Sequence, residues 1–97
     1  MNRTDTLTRL RTHADAVRAM GATALYLFGS AASNEKPPRD IDLFIDYDTS
    51  RSFSLLDLVG IKQFLEEQLN TEVDITTRDS LHPILRRDIE QSAIRVF

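Results

Sequence analysis

Leu27-Phe28-Gly29-Ser30 and, nine residues further on, Asp40-Ile41-Asp42-Leu43-Phe44-Ile45-Asp46 are the stretches that decide how this chain folds. The first closes a continuous apolar run, Ala24-Leu25-Tyr26-Leu27-Phe28, which reads as a strand buried on both faces of a helix-covered sheet. Tyr26 and Phe28 are therefore expected in the core. The run stops at Gly29-Ser30, where a glycine lets the backbone turn close to a ligand with no side chain in the way. Ala31-Ala32-Ser33-Asn34 suits one helical turn before Lys36-Pro37-Pro38-Arg39 ends it. The second stretch alternates. As a strand it puts Ile41, Leu43 and Ile45 on one face and Asp40, Asp42, Phe44 and Asp46 on the other.

Outward from these strands the pattern is helical on both sides. Leu7, Leu10, Ala14, Val17 and Met20 form one stripe of a first helix over about residues 5–20, with Thr4 or Asp5 as cap and Gly21 as stop. Leu55, Leu58, Ile61, Leu65 and Leu69 form the stripe of another over about 54–69, started by a Ser54/Asp57 capping box and stopped by Asn70. Glu72-Val73-Asp74-Ile75-Thr76 alternates as a strand, with Asp74 turned away from Val73 and Ile75. A helix over about 83–92, with Pro83 in its first turn, and a short strand from Ile94 complete the chain. The order, α-β-turn-β-α-β-α-β, predicts a small α/β or α+β sheet with helices packed on one side.

Ninety-seven residues suffice for one hydrophobic core and one domain, residues 1–97, with no room for a second substrate lobe. The composition, 41% hydrophobic and 28% charged, excludes disorder and fibrous repeats. No apolar run approaches the ~20 residues of a membrane span, and the polar N-terminus predicts no secretory leader. There is no cysteine, so disulfides and thiolate metal sites are excluded, in keeping with a cytoplasmic protein. A net charge of −3 argues against direct nucleic-acid binding.

The candidate chemistry lies in the glycine-serine turn and the aspartates. Backbone N–H groups after Gly29, together with the Ser30 hydroxyl, suit phosphate oxygens. Asp40 and Asp42 project from one face of a strand, and close carboxylates repel unless a cation lies between them. Mg²⁺ wants such oxygen ligands. Asp74, on the matching face of another strand, brings a third carboxylate if the two strands are neighbours, and it then serves to take a proton from an attacking hydroxyl. Taken alone, Gly29-Ser30 is an ordinary turn and each aspartate a solvated face; the combination carries the signal. His13 and His82 lack partner spacing and read as surface residues. Asp46, Asp48 and Tyr47 read as strand-end or turn residues. Arg86 and Arg87 read as a solvated face of the last helix, and together with Arg78 they are able to meet an acidic partner.

Leu27-Phe28-Gly29-Ser30, Asp40-Ile41-Asp42-Leu43 and Val73-Asp74-Ile75 together resemble the minimal nucleotidyltransferase (MNT) family of the polymerase-β-like superfamily. The likeness spans nearly the whole chain, departing from the family pattern at Ala31-Ala32-Ser33-Asn34 and at Arg39. It implies the small nucleotidyltransferase fold, with a mixed sheet and helices mainly on one side. It implies that Gly29 and Ser30 bind the triphosphate of ATP, that Asp40, Asp42 and Asp74 ligate Mg²⁺, and that these three aspartates are catalytic. Small members of the family are commonly antitoxins of a helical HEPN ribonuclease toxin. The expected activity is therefore transfer of AMP from ATP to a hydroxyl, such as a tyrosine, of a toxin held in a hetero-oligomer. The alternatives are an antitoxin that neutralises by binding alone and, ranked last, nucleotidyl transfer to a small molecule.

Overall fold

The structure is a computed structural model that describes residues 2–29 and 40–97. Helix α1 (Arg3–Thr12) starts two residues earlier than expected, because Asn2 rather than Thr4 or Asp5 caps it, its side chain accepting from the Asp5 amide at 2.8 Å. The predicted long first helix is broken at His13, and α2 (Ala14–Ala19) follows. Thr12 donates its hydroxyl back to Thr8 O, and the His13 amide reaches Leu10 O, so the last turn of α1 tightens and the axis bends there.

Strand β1 (Ala22–Phe28) pairs antiparallel with β2 (Asp40–Tyr47), which pairs parallel with β3 (Glu72–Thr77). Between them lies α3 (Leu55–Leu69), its N-terminus closed by the reciprocal Ser54/Asp57 box and its C-terminus by Asn70 at φ 52°. A 3₁₀ turn (Arg78–Ser80), then α4 (Pro83–Ser92), lead to β4 (Ile94–Arg95) on the far side of β1. His82, far from being idle, caps α4 by accepting from the Ile84 amide. The sheet order is β3-β2-β1-β4, a mixed sheet as expected of the fold.

One face of the sheet carries the core. Leu25, Leu27, Ile41, Leu43, Ile45 and Val73 pack against Leu10, Val17, Ile61, Leu65 and Leu69 of α1, α2 and α3. The stripe expected of α3 loses its first member: Leu55 is 74% exposed, because the helix start overhangs the end of the sheet. Arg9 closes the last turn of α3 by donating to Gln68 O, and Arg11 donates to Arg95 O and Val96 O, so α1 fastens both its neighbours.

The other face is not the open, polar surface that alternation suggests. Phe44 is 1% exposed there, stacked on Tyr26 at 4.7 Å and near Phe28 at 5.8 Å. Tyr26 and Phe28 thus belong to this second, thinner layer and stay half-buried, rather than joining the helix-side core. The layer is roofed by Arg78, whose guanidinium lies 4.8 Å from the Tyr26 ring centre and 5.1 Å from that of Phe44. Because β3 and β4 lie at opposite edges, α4 must carry the chain from one to the other, and its Glu90 meets Arg78 above this face.

Candidate active site

Adjacent strands place two of the predicted aspartates side by side. In the parallel β2–β3 pair the register sets Asp42 opposite Asp74, with Ile41 opposite Val73 and Leu43 opposite Ile75 on the core side. Neighbouring strands run ~4.8 Å apart, so both carboxylates leave the same face of the sheet from touching positions. The core fixes this register. A slip of β3 by one residue would turn Asp74 towards the helices and bring Val73 and Ile75 out.

On its other flank Asp42 lies opposite Phe28, the residue before Gly29. Gly29 has φ +73°, and a Cβ there would stand 2.5 Å from Asp42 Oδ2. The turn therefore wraps its bare backbone against the Asp42 carboxylate, a contact that only glycine permits. The approach expected at Gly29 was that of a ligand; in the structure it is the Asp42 carboxylate that comes close.

Asp40 opens β2, with its backbone opposite Glu72, at the same phase of the pleat as Asp42. Its side chain lies outside the described residues, as do Ser30 and the turn expected over 31–34. Among the described residues no three acids or histidines gather tightly enough to hold a metal ion. The donor set of Asp42 and Asp74, hard oxygens only, fits Mg²⁺ chemistry.

Further along the same face of β2, Asp46 forms an ion pair with Arg78. Arg78 donates Nε to Asp46 Oδ1 at 2.8 Å and Nη2 to Asp46 Oδ2 at 3.0 Å, while Nη1 donates to Glu90 Oε2 at 2.6 Å. These bonds, Asp46 foremost, hold the guanidinium above its usual pKa against the opposing effect of burial. Asp46 stands near the end of β2, as the sequence suggested, but its ion pair with Arg78 was not foreseen. Their partners come from elements far apart in the chain, so no local spacing marks them. Tyr47 stacks on Phe53 at 4.9 Å and donates to Asp79. Thr77 and Tyr47 both donate to Asp79, which holds its carboxyl below the usual range.

Paired carboxylates on parallel strands, with a glycine turn closed against one of them, are the geometry against which the comparisons with known proteins are set. The model of the nucleotidyltransferase domain family matches residues 10–96, and the chain belongs to that family. It is a nucleotidyltransferase. Two proteins of Methanocaldococcus jannaschii, each named "putative protein adenylyltransferase", are similar to it. One is 43% identical over 79% of this chain and 82% of its own length, the other 36% identical over 75% and 74%. A solved structure described as a "putative minimal nucleotidyltransferase" superposes with a TM-score of 0.81 at 30% identity, covering 97% of this chain and 95% of its own. A toxin–antitoxin structure with AMP-PNP shares the fold at a TM-score of 0.68 and 18% identity, over 100% of this chain and 73% of the other. So does the MNT antitoxin in complex with a tri-AMPylated HEPN toxin of Shewanella oneidensis, at a TM-score of 0.65 and 18% identity, over 90% and 68%. No described helix of this chain is long and apolar enough to cross a membrane.

Proposed function

We propose that this chain transfers AMP from ATP to a hydroxyl, such as that of a tyrosine, on a HEPN ribonuclease toxin that it binds in the cytoplasm as an antitoxin. The observation that carries the proposal is the register of Asp42 with Asp74 beside the Gly29 turn. In this assignment Gly29 and Ser30 cradle the triphosphate, the bare backbone at Gly29 letting phosphate oxygens come close. Asp40, Asp42 and Asp74 hold Mg²⁺ between them, and that ion, when bound, offsets the charge of the triphosphate. Asp74, exposed on the edge strand, accepts the proton of the incoming hydroxyl. The hydroxyl oxygen bonds to the α-phosphorus, the bond from that phosphorus to the bridging oxygen breaks, and pyrophosphate leaves.

The named likenesses support the acceptor as a protein, since curated relatives are described as protein adenylyltransferases and fold neighbours are antitoxins solved with their toxins. The exposed Leu55, Leu56, Ile84 and Leu85 offer apolar surface for such a partner. The test is intact-mass measurement of the HEPN partner after mixing with this chain, with and without ATP–Mg²⁺. A gain of whole AMP groups that needs ATP and is lost with Asp42→Asn is expected. Neutralisation of the toxin with no gain in mass would replace the transferase assignment with binding alone.

A further inference from the structure

Arg78 joins more of the molecule than any role in stability near the surface requires. Its guanidinium lies over two rings, Tyr26 of β1 and Phe44 of β2, forks onto Asp46 of β2, and reaches Glu90 of α4. Helix α4 has no buried residue of its own, and Ile84 and Leu85 on it are 81% and 53% exposed. Packing therefore does little to set its position. Its two ends are anchored by chain connection, at buried Leu81 and at β4, and its body by the Arg78–Glu90 bond.

The end of α4 matters to the site. In the β1–β4 pair Tyr26 faces Arg95 and Leu27 faces Ile94. Continued by one residue, this register brings Ala93 beside Phe28, one position before the Gly29 turn. Helix α4, whose last turn carries Glu90, thus ends where β4 meets the C-terminal end of β1, the end from which the chain enters the Gly29 turn.

We propose that Arg78 is a positioning residue of the nucleotide site: by holding Glu90 over the Tyr26–Phe44 layer, it fixes how α4 ends at the C-terminal end of β1, and so sets the backbone that leads into the Gly29 turn that the nucleotide meets. This inference rests on the nucleotidyl-transfer assignment above. Arginine is needed for geometric reasons. Its planar fork meets both oxygens of Asp46 and keeps a third donor for Glu90 while lying flat on the rings. A lysine keeps the charge but supplies neither the fork nor the stacking plane.

The test is titration of the whole chain with Mg²⁺–AMP-PNP, together with amide hydrogen exchange of α4. Arg78→Ala is expected to weaken binding about tenfold and to speed exchange in α4 about tenfold, leaving α3 unchanged. Arg78→Lys is expected to recover part of both, and Glu90→Gln, which cuts only the arm to α4, to weaken binding about threefold. Arg18→Ala, which removes an equally close arginine–ring contact to Phe97 at 4.5 Å far from the site, serves as control and binds as the unaltered chain does. If Arg78→Ala fails to fold, Glu90→Gln carries the test. Binding by the variants equal to that of the unaltered chain, or α4 exchange that does not change, overturns the proposal. If the unaltered chain itself does not bind Mg²⁺–AMP-PNP, the nucleotide site falls and this inference with it, an outcome distinct from failure of Arg78 alone.

Discussion

With φ at +73° and the Asp42 carboxylate where a Cβ would go, position 29 admits no side chain without moving either the turn or the acid. Alanine there takes on left-handed strain of about 1–2 kcal/mol and a contact of 2.5 Å with Asp42 Oδ2. A carboxylate displaced by even part of an ångström no longer serves a reaction that depends on alignment, and losses on the order of 10²-fold follow from such shifts. Gly29→Ala is thus expected to melt a few degrees lower and to lose transfer about a hundredfold. Full transfer by the folded variant, measured as AMP gained by the acceptor, would show that the contact has no bearing on the chemistry. The same position marks how far the site was legible. Glycine before a pair of spaced aspartates predicts a close approach, and alternation predicts that Asp42 and Asp74 leave the core side. What one sequence does not hold is the pairing of β2 with β3, which decides that the two acids are neighbours. Arg78 was illegible for the same reason: Asp46 lies 32 residues before it and Glu90 12 after.

Elements came out of the sequence where their ends carry local chemistry. The start of α3 follows from Ser54 and Asp57, its stop from Asn70 in the left-handed region, and the start of α4 from Pro83, whereas its cap, His82, was read only as a surface residue. The break at His13 did not, because the apolar stripe runs on through it and only the Thr12 back-bond and the fit to the sheet interrupt the helix. Phe44 likewise follows the alternation in direction but not in burial, since its cover comes from Tyr26 and Arg78. The junction of α3 with β3 holds a titratable tie. Glu66 Oε2 accepts from the Val73 amide at 3.1 Å, and Lys62 donates to the same carboxylate. The Val73 bond foremost holds the Glu66 carboxyl below its usual value. A depressed folded pKa means that this contribution to stability is fully present above the unfolded value of about 4.3 and is lost as pH falls through the folded one. Glu66→Gln, which is neutral at every pH, removes that dependence. Urea denaturation across pH 2–7 is therefore expected to show a stability gap between the two chains that is constant above about pH 5 and closes below about pH 4. A gap that persists at low pH would exclude the tie.

At the scale of the molecule, β2 divides its labour by side. Odd positions 41, 43 and 45 hold the helix layer, while even positions carry Asp42, the Phe44 stack and the Asp46 bond to Arg78. A single strand thus contributes the centre of the core and the centre of the candidate site, with no residue serving both. That separation has a measurable consequence at two adjacent residues. Leu43 is fully buried among aliphatic neighbours, so Leu43→Ala removes packing and leaves a cavity, at a cost of about 2–5 kcal/mol. Against the ~5–15 kcal/mol that holds a domain of this size, the loss takes a large share of the whole, and a fall in the denaturation midpoint is expected. Asp42→Asn keeps the shape of the side chain and removes one of two adjacent negative charges, so stability is expected to stay within about 0.5 kcal/mol or to rise. Transfer by the same variant is expected to fall about 10²–10³-fold, whereas Leu43→Ala, measured below its own midpoint, keeps rates within a few-fold. If Asp42→Asn instead unfolds the chain while keeping activity per folded molecule, the acid belongs to the scaffold, and the division of β2 into a holding side and a reacting side is wrong.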